Sequence, residues 1–440
     1  MNYPERLNTA IPNDKRKISG ESLYGLIEEL YPICRSITGD GLRKSLQIIQ
    51  EKIPLNICEL PTGTSVFDWT IPKEWNINDA WIKNSKGEKI VDFNESNLHI
   101  VNYSIPVDKN IRLDELKAHL HSIPDEPELV PYRTSYYEER WGFCLSHNQL
   151  ESLRDDVYHV YIDSSLKEGS MSYGELLIEG ETEEEVLITA HICHPSLCND
   201  NLSGVSVAVH LAESLLDEDC RYSYRFLFIP STIGAIAWLA LHEENIDKVR
   251  HGLVLACVGD TGNVTYKTSR HRQAEIDRIA EYVLNESGDP YDIRPFSPTG
   301  NERQFSSPAF NLPVGCFMRT PFGEFPEYHT SADDLSFVKP GALADSFSKL
   351  KKMIDVIENN GTYLNLNPKC EPNLGSRGLY STSGGRVESK INQEAILWVL
   401  NYTDGEHSLL DIAEMSGLNF KQLKQAVVNL ERVNLLKRLS

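Results

Sequence analysis

Nowhere in these 440 residues is there an unbroken apolar run of the ~18–20 residues that a membrane-spanning helix needs, so no such span is expected. The longest apolar stretches, around 186–189 and 225–229, have the length of buried strands. Cysteine is sparse and odd in number, nine in all, and no pair of C-x-x-C motifs occurs. That argues against a disulfide scaffold and fits free thiols in a reducing cytoplasm. Basic residues are outnumbered, 43 against 64, for a net charge of −21. A field of that sign repels polyanions, so nucleic-acid binding would need a local basic patch. The opening run MNYPERLNTAIPNDKRK lacks an apolar core after its charges and reads against a secretory leader. Internal repeats and low-complexity tracts are missing as well. What remains is an ordinary globular mixture, 40% hydrophobic and 24% charged, with room for several domains of roughly 100–200 residues. The expectation is a multidomain cytoplasmic protein.

Helical spacing of Leu23, Leu26, Ile27, Leu30 and Ile33 predicts a helix over 20–33, and CRSITGDG then breaks it before a second helix ending at Pro54. From 54 to 150 the texture changes. Four of the six tryptophans, Trp69, Trp75, Trp81 and Trp141, fall there among short β-type runs split by Pro and Gly. This predicts a small, mostly β insert. From about 157 strands alternate with helices, the pattern of a partly parallel sheet covered on both faces. The fold class expected is therefore α/β, a mixed sheet flanked by helices, assembled from 1–53 and 151–370. Residues 371–390, ending in STSGG, read as a linker. Residues 391–440 read as three helices and a terminal strand, the spacing of a winged helix-turn-helix.

The most informative segment is HICHPSLCNDNLSG (191–204), directly after the apolar strand EVLITA. A strand delivering His191 to its carboxyl end, with Asp200 at a helix start, is good metal-site geometry. EYHTSADDL (327–335) adds His329 and two carboxylates able to support it. The ordinary alternative for each is a polar loop with His and Asp serving turns and caps.

Taken together, a strand then His, NDN-x-SG at a helix start and a late YHT-x-x-D resemble the zinc aminopeptidases that carry a co-catalytic metal pair. That resemblance covers about 20–50 and 160–360. With PICRSITGDG and RTPFGEFPEYHTSAD included, nearly the whole chain resembles a family of bacterial aminopeptidase-like proteins of uncharacterised function. Its members carry a β-rich insert and a C-terminal winged helix and are often associated with polysaccharide biosynthesis. The resemblance implies zinc ligands at His191 and His329 and a bridging carboxylate at Asp200. Two departures stand out. The family's Asp two residues after the first His is Cys193 here, a poorer acceptor for orienting the ring. The adjacent glutamates, general base and zinc ligand, are replaced by Ser231 and Thr232 in PSTIGAIAW.

Asp260 is a candidate fourth ligand and His194 an alternative one, although Pro195 follows it. Glu302, Glu324 and Glu327 are candidate substitutes for the missing base. Arg319 is a candidate clamp for a substrate carboxylate, against an ordinary ion pair. Tyr136, Tyr137 and Trp141 either line the cleft or pack a core. Three readings follow. The first is a zinc-dependent hydrolase of a peptide or aminoacyl amide, with one tightly held zinc and any second metal weak. The second is a pseudo-peptidase kept as a binding or scaffold protein, motivated by Ser231 and Thr232. The third is a DNA-binding regulator, disfavoured because 391–440 carries six acids against five bases. Protein contact or dimerisation suits that tail better.

Overall fold

The computed structural model describes residues 18–379 and 387–439. Residues 1–17, read above for a leader, and 380–386 of the expected linker lie outside them. Eight strands form the main sheet: β1 (Asn56–Pro61), β2 (Ser170–Ile178), β3 (Glu185–His191), β4 (Ser223–Ile229), β5 (Val249–Leu255), β6 (Val264–Lys267), β7 (Tyr291–Arg294) and β8 (Val314–Met318). Their order across the sheet is β1-β2-β4-β3-β5-β8-β6-β7. β4, β3, β5 and β8 run parallel at the centre, while β1, β2 and β6 pair antiparallel towards the edges. This is the expected mixed sheet.

β3 is buried along its whole length, as a central parallel strand with helices on both faces must be. One face packs against the helices Gly20–Leu30, Gly204–Leu215 and Pro340–Asn359. The other carries Ile233–His242, whose Ile233, Ile236 and Trp238 join a second core. The first helix starts on a capping box in which Ser19 and Ser22 satisfy each other's free amides.

A separate four-stranded antiparallel sheet, ordered Lys89–Asp92, Glu74–Lys83, Val157–Lys167 and Val107–Arg112, encloses its own core around Ile82, Phe143 and Val160. The strand at 157–167 thus pairs with the insert, whereas Asn56–Pro61 adds to the main sheet. The boundaries expected at 54 and 150 are offset from these pairings. The reason is that alternation in 157–167 fits either sheet, and its partners are remote in sequence.

Downstream, the helices Val387–Tyr402, Leu409–Ser416 and Phe420–Arg432 lie with a three-stranded sheet ordered Asp404–Ser408, Thr362–Asn365, Leu436–Arg438. The middle strand comes from before the expected linker, so 362–365 joins the tail that was expected to begin at 391. Among the described residues no helix is long and apolar enough to cross a membrane.

Candidate functional site

β3 ends at His191, and the chain leaves the sheet through a buried loop and an irregular turn, Cys198–Ser203, before the helix Gly204–Leu215. That turn is held from far along the sequence. The Asp333 carboxylate accepts the amide hydrogens of Asn199 and Asp200 at 2.6 and 2.9 Å, and its carbonyl accepts that of Cys198 at 2.9 Å. Burial pushes the Asp333 carboxyl up to about 8, opposed by those amides. Asp260 braces the same turn. Its carboxylate accepts from the Asn199 side-chain amide at 3.0 Å, the Gly262 amide at 2.7 Å and the Thr320 hydroxyl at 2.7 Å.

Asp200 itself is 1% exposed. One of its oxygens meets His191 Nε2 at 2.9 Å and the other meets His329 Nε2 at 2.9 Å. His194 Nδ1 lies 3.8 Å from the second oxygen and, though buried, has no hydrogen-bond partner. Burial lowers the His194 pKa to about 3, with Asp200 pulling the other way, so this imidazole is neutral with its lone pair available. Burial also works to raise Asp200, but the three imidazoles outweigh it and hold the carboxyl well below its usual range.

The shell around these rings comes from three parts of the chain. Tyr132, in the insert, packs edge-on against His194 and His329 with ring centroids 5.1 and 5.2 Å away. Its amide donates to the His329 carbonyl at 2.8 Å, and Val130 and Ser331 bond each other on either side. His329 therefore sits on a loop stapled to the insert, with φ at +54°, a conformation a β-carbon disfavours. The Asn201 side-chain amide approaches His191 Nδ1 at 3.4 Å, while Cys193 Sγ accepts the Ser231 amide at 3.3 Å. Arg35, wholly buried, donates from Nε to the His194 carbonyl at 3.0 Å and from Nη1 to the Leu30 carbonyl at 2.5 Å. Its Nη2 has no partner, and burial lowers its pKa to about 10.

The structure thus brings His191, Asp200 and His329 together and adds His194. Asp260 stands behind them as a brace. Glu302 is fully buried and paired with Lys267, and its neighbour Asn301 accepts the Ser231 hydroxyl at 2.9 Å, leaving the Asn301 Nδ2 buried without a partner. Glu324 pairs with Arg294 at the surface. Arg319 donates to Asp345 at 2.8 Å and to the Gly262 carbonyl at 2.9 Å. Tyr136 bonds the Tyr132 hydroxyl at 2.9 Å, Tyr137 is 47% exposed, and Trp141 stacks on His119 within the insert. Sequence reasoning did not reach Arg35 or Tyr132, and it gave Asn201 only a part in the tight turn into the helix, not its approach to His191. The only signal for Arg35 was the PICRSITGDG run itself.

Among the described residues, a group able to hold a metal ion is formed by His191, His194 and Asp200, whose ligand atoms lie within 4.8 Å of one another. Three imidazoles and a carboxylate suit a borderline divalent ion, and the unpartnered His194 nitrogen gives that ion a place. The residues fit a metal.

The fold is that of an aminopeptidase-like protein. The chain belongs to the family described as a domain of unknown function, DUF4910, whose model matches residues 24–360, and a winged helix-turn-helix model matches 361–438. Over 434 residues it is 53% identical to a Clostridium acetobutylicum protein named for polysaccharide biosynthesis with an aminopeptidase-like domain, covering 98% of this chain and 99% of that one. A crystal structure of a candidate peptidase from the same organism superposes with a TM-score of 0.90 at 53% identity, covering 96% of each chain. A zinc aminopeptidase from Bacillus subtilis shares the fold with a TM-score of 0.58 at 13% identity, covering 78% of this chain and 96% of its own.

Proposed function

We propose that this chain is a zinc-dependent hydrolase acting on an amide, a peptide or aminoacyl bond, within polysaccharide biosynthesis. The observation that supports it most is the single buried carboxylate of Asp200, shared between His191 and His329 at 2.9 Å each. His191, His194, Asp200 and His329 would hold the ion, with Asp333 and Asp260 fixing the turn that carries Asp200. Bound there, zinc would supply Lewis acidity and lower the pKa of water. The residues around it orient the ligands and exclude bulk water. Asn201 and Tyr132 set the rings of His191, His194 and His329, and Arg35 fixes the His194 backbone.

Stoichiometry follows from the ligand set. A catalytic zinc site needs about three protein ligands and an open position, and His191, Asp200 and His329, or His194 in place of one of them, complete one. A second site would lack its carboxylate, because Thr232 stands there. One tightly held zinc per chain is expected, measured by metal analysis after dialysis. His191→Ala and Asp200→Ala should lose it. Zinc-free wild type, or variants retaining full zinc, would reject the reading.

Ser231 cannot take a proton at neutral pH, and Glu302 is tied to Lys267. General-base assistance of about 10²–10⁴-fold is therefore missing from these positions. This favours the second reading, a pseudo-peptidase retained for binding. Ser231→Glu discriminates: an inert wild type and an active variant on an aminoacyl and N-acyl panel select the second reading, and chelator-sensitive wild-type turnover selects the first.

A further inference from the structure

The three large aromatic side chains most open to solvent among the described residues lie together: Phe67 at 51%, Trp69 at 43% and Tyr137 at 47%. Trp69 meets Tyr137 with ring centroids 5.4 Å apart and planes tilted 59°, and Phe67 meets Phe310 at 5.8 Å and 55°. Isolated exposed aromatics need no explanation, but a group contributed by three separate segments does.

The group is connected to the His and Asp cluster through packed and bonded neighbours. Phe67 and Trp69 occupy a hairpin, Ser65–Val66 with Trp69–Thr70, whose Val66 and neighbouring Ile71 are buried in the core that includes Ile233 and Ile236. Those residues open the helix Ile233–His242, directly after Ser231 and Thr232. Tyr137 follows Tyr136, which is hydrogen-bonded to Tyr132, the ring that touches His194 and His329. Phe310 closes the segment that begins with Asn301, the acceptor for Ser231. The rings are thus tied to the site through Tyr136 and Tyr132 on one side and through the start of Ile233–His242 on the other.

We infer that this rim is a saccharide subsite, and that the amide cleaved is the N-acyl group of an amino sugar. The inference rests on the hydrolase reading above and moves its amide from a peptide or aminoacyl bond to the N-acyl group of a sugar. Flat π faces left half open at a rim suit the C–H faces of a pyranose lying across them, whereas an aliphatic side chain calls for an enclosing pocket. Polar groups for hydroxyls and an acyl oxygen are interleaved: exposed Asp68 between Phe67 and Trp69, and Ser231 and Asn301 behind. The relative that is 53% identical is named for polysaccharide biosynthesis. In the reaction water adds across the C–N bond, releasing a carboxylic acid and leaving the free amine on the sugar.

The probe is tri-N-acetylchitotriose titrated into the full chain, followed by tryptophan fluorescence and calorimetry with and without chelator. Saturable binding is expected, weakened about tenfold or more by Trp69→Ala, restored by Trp69→Phe and weakened also by Tyr137→Ala. The melting temperature and zinc content should stay unchanged, since both side chains are exposed. Absent binding, binding indifferent to Trp69, or Trp69-dependent binding of leucyl-glycyl-glycine in its place would overturn the inference. A chain that hydrolyses aminoacyl amides yet ignores the sugar defeats the inference alone. Trp69-dependent sugar binding without release of acetate supports the subsite and overturns the cleavage step together with the hydrolase reading.

Discussion

On sequence grounds His194 is an alternative ligand, made less favourable by Pro195 directly after it. Its place in the cluster depends on two contacts from elsewhere, the Arg35 guanidinium on its carbonyl and the Tyr132 ring on its face. Neither is legible from HICHPSLC, whereas His191 and Asp200 were, because a strand end followed by a helix start fixes both. His194→Ala is expected to weaken zinc binding more than tenfold while the fold persists, read by competition with a chromophoric chelator. Cys193 offers the opposite test. The orienting carboxylate that the resemblance to zinc aminopeptidases would put there is a thiol, and Asn201 approaches His191 only at 3.4 Å. Cys193→Asp should tighten zinc by about 10–100-fold, the usual worth of such a partner; unchanged affinity would show that the amide already suffices.

At the scale of elements, the turn Cys198–Ser203 has no regular pattern of its own and takes its shape from Asp333 and Asp260. Asp333→Ala removes the acceptor for two buried amides. It should cost about 2–4 kcal/mol of stability and reduce zinc occupancy, measured by thermal unfolding and metal content. Asp333→Asn, which keeps one acceptor oxygen, should fall between. The central strands β2, β3, β4, β5 and β8 and the helices around them were legible because a continuous apolar run and a 3.6-residue period each leave one reading, whereas the edge strands Asn56–Pro61, Val264–Lys267 and Tyr291–Arg294 are short and were not read into this sheet. The strands Val157–Lys167 and Thr362–Asn365 were not assigned to their sheets because a strand's own residues do not name its partner.

Across the whole molecule, the C-terminal helices share a continuous core with the main sheet. Ala395, Val399, Leu410 and Leu423 belong to the same buried cluster as Leu23 and Leu350. Arg278 reaches Asp411 and Glu414 at 2.6 Å, and the Tyr282 hydroxyl accepts the Phe420 amide at 2.9 Å. The start of Phe420–Arg432, the end that would read bases, is therefore packed on Glu275–Ser287, and Lys424 is paired with Asp355. No salt-dependent DNA binding is expected in a gel-shift series. Ending the chain at residue 360 should bare this core and give aggregation on size-exclusion chromatography rather than a stable shorter protein.

The staple between the insert and the His329 loop also sets an order of events. Val130 is made 201 residues before Ser331, its partner. While the chain is being synthesised, the insert and the residues of the Asp200 turn emerge long before the loop that closes over them and before Asp333, which shapes that turn. A polypeptide released short of residue 331 would carry His191, His194 and Asp200 on an open edge, and the ribosome must travel that whole distance before the enclosure can shut.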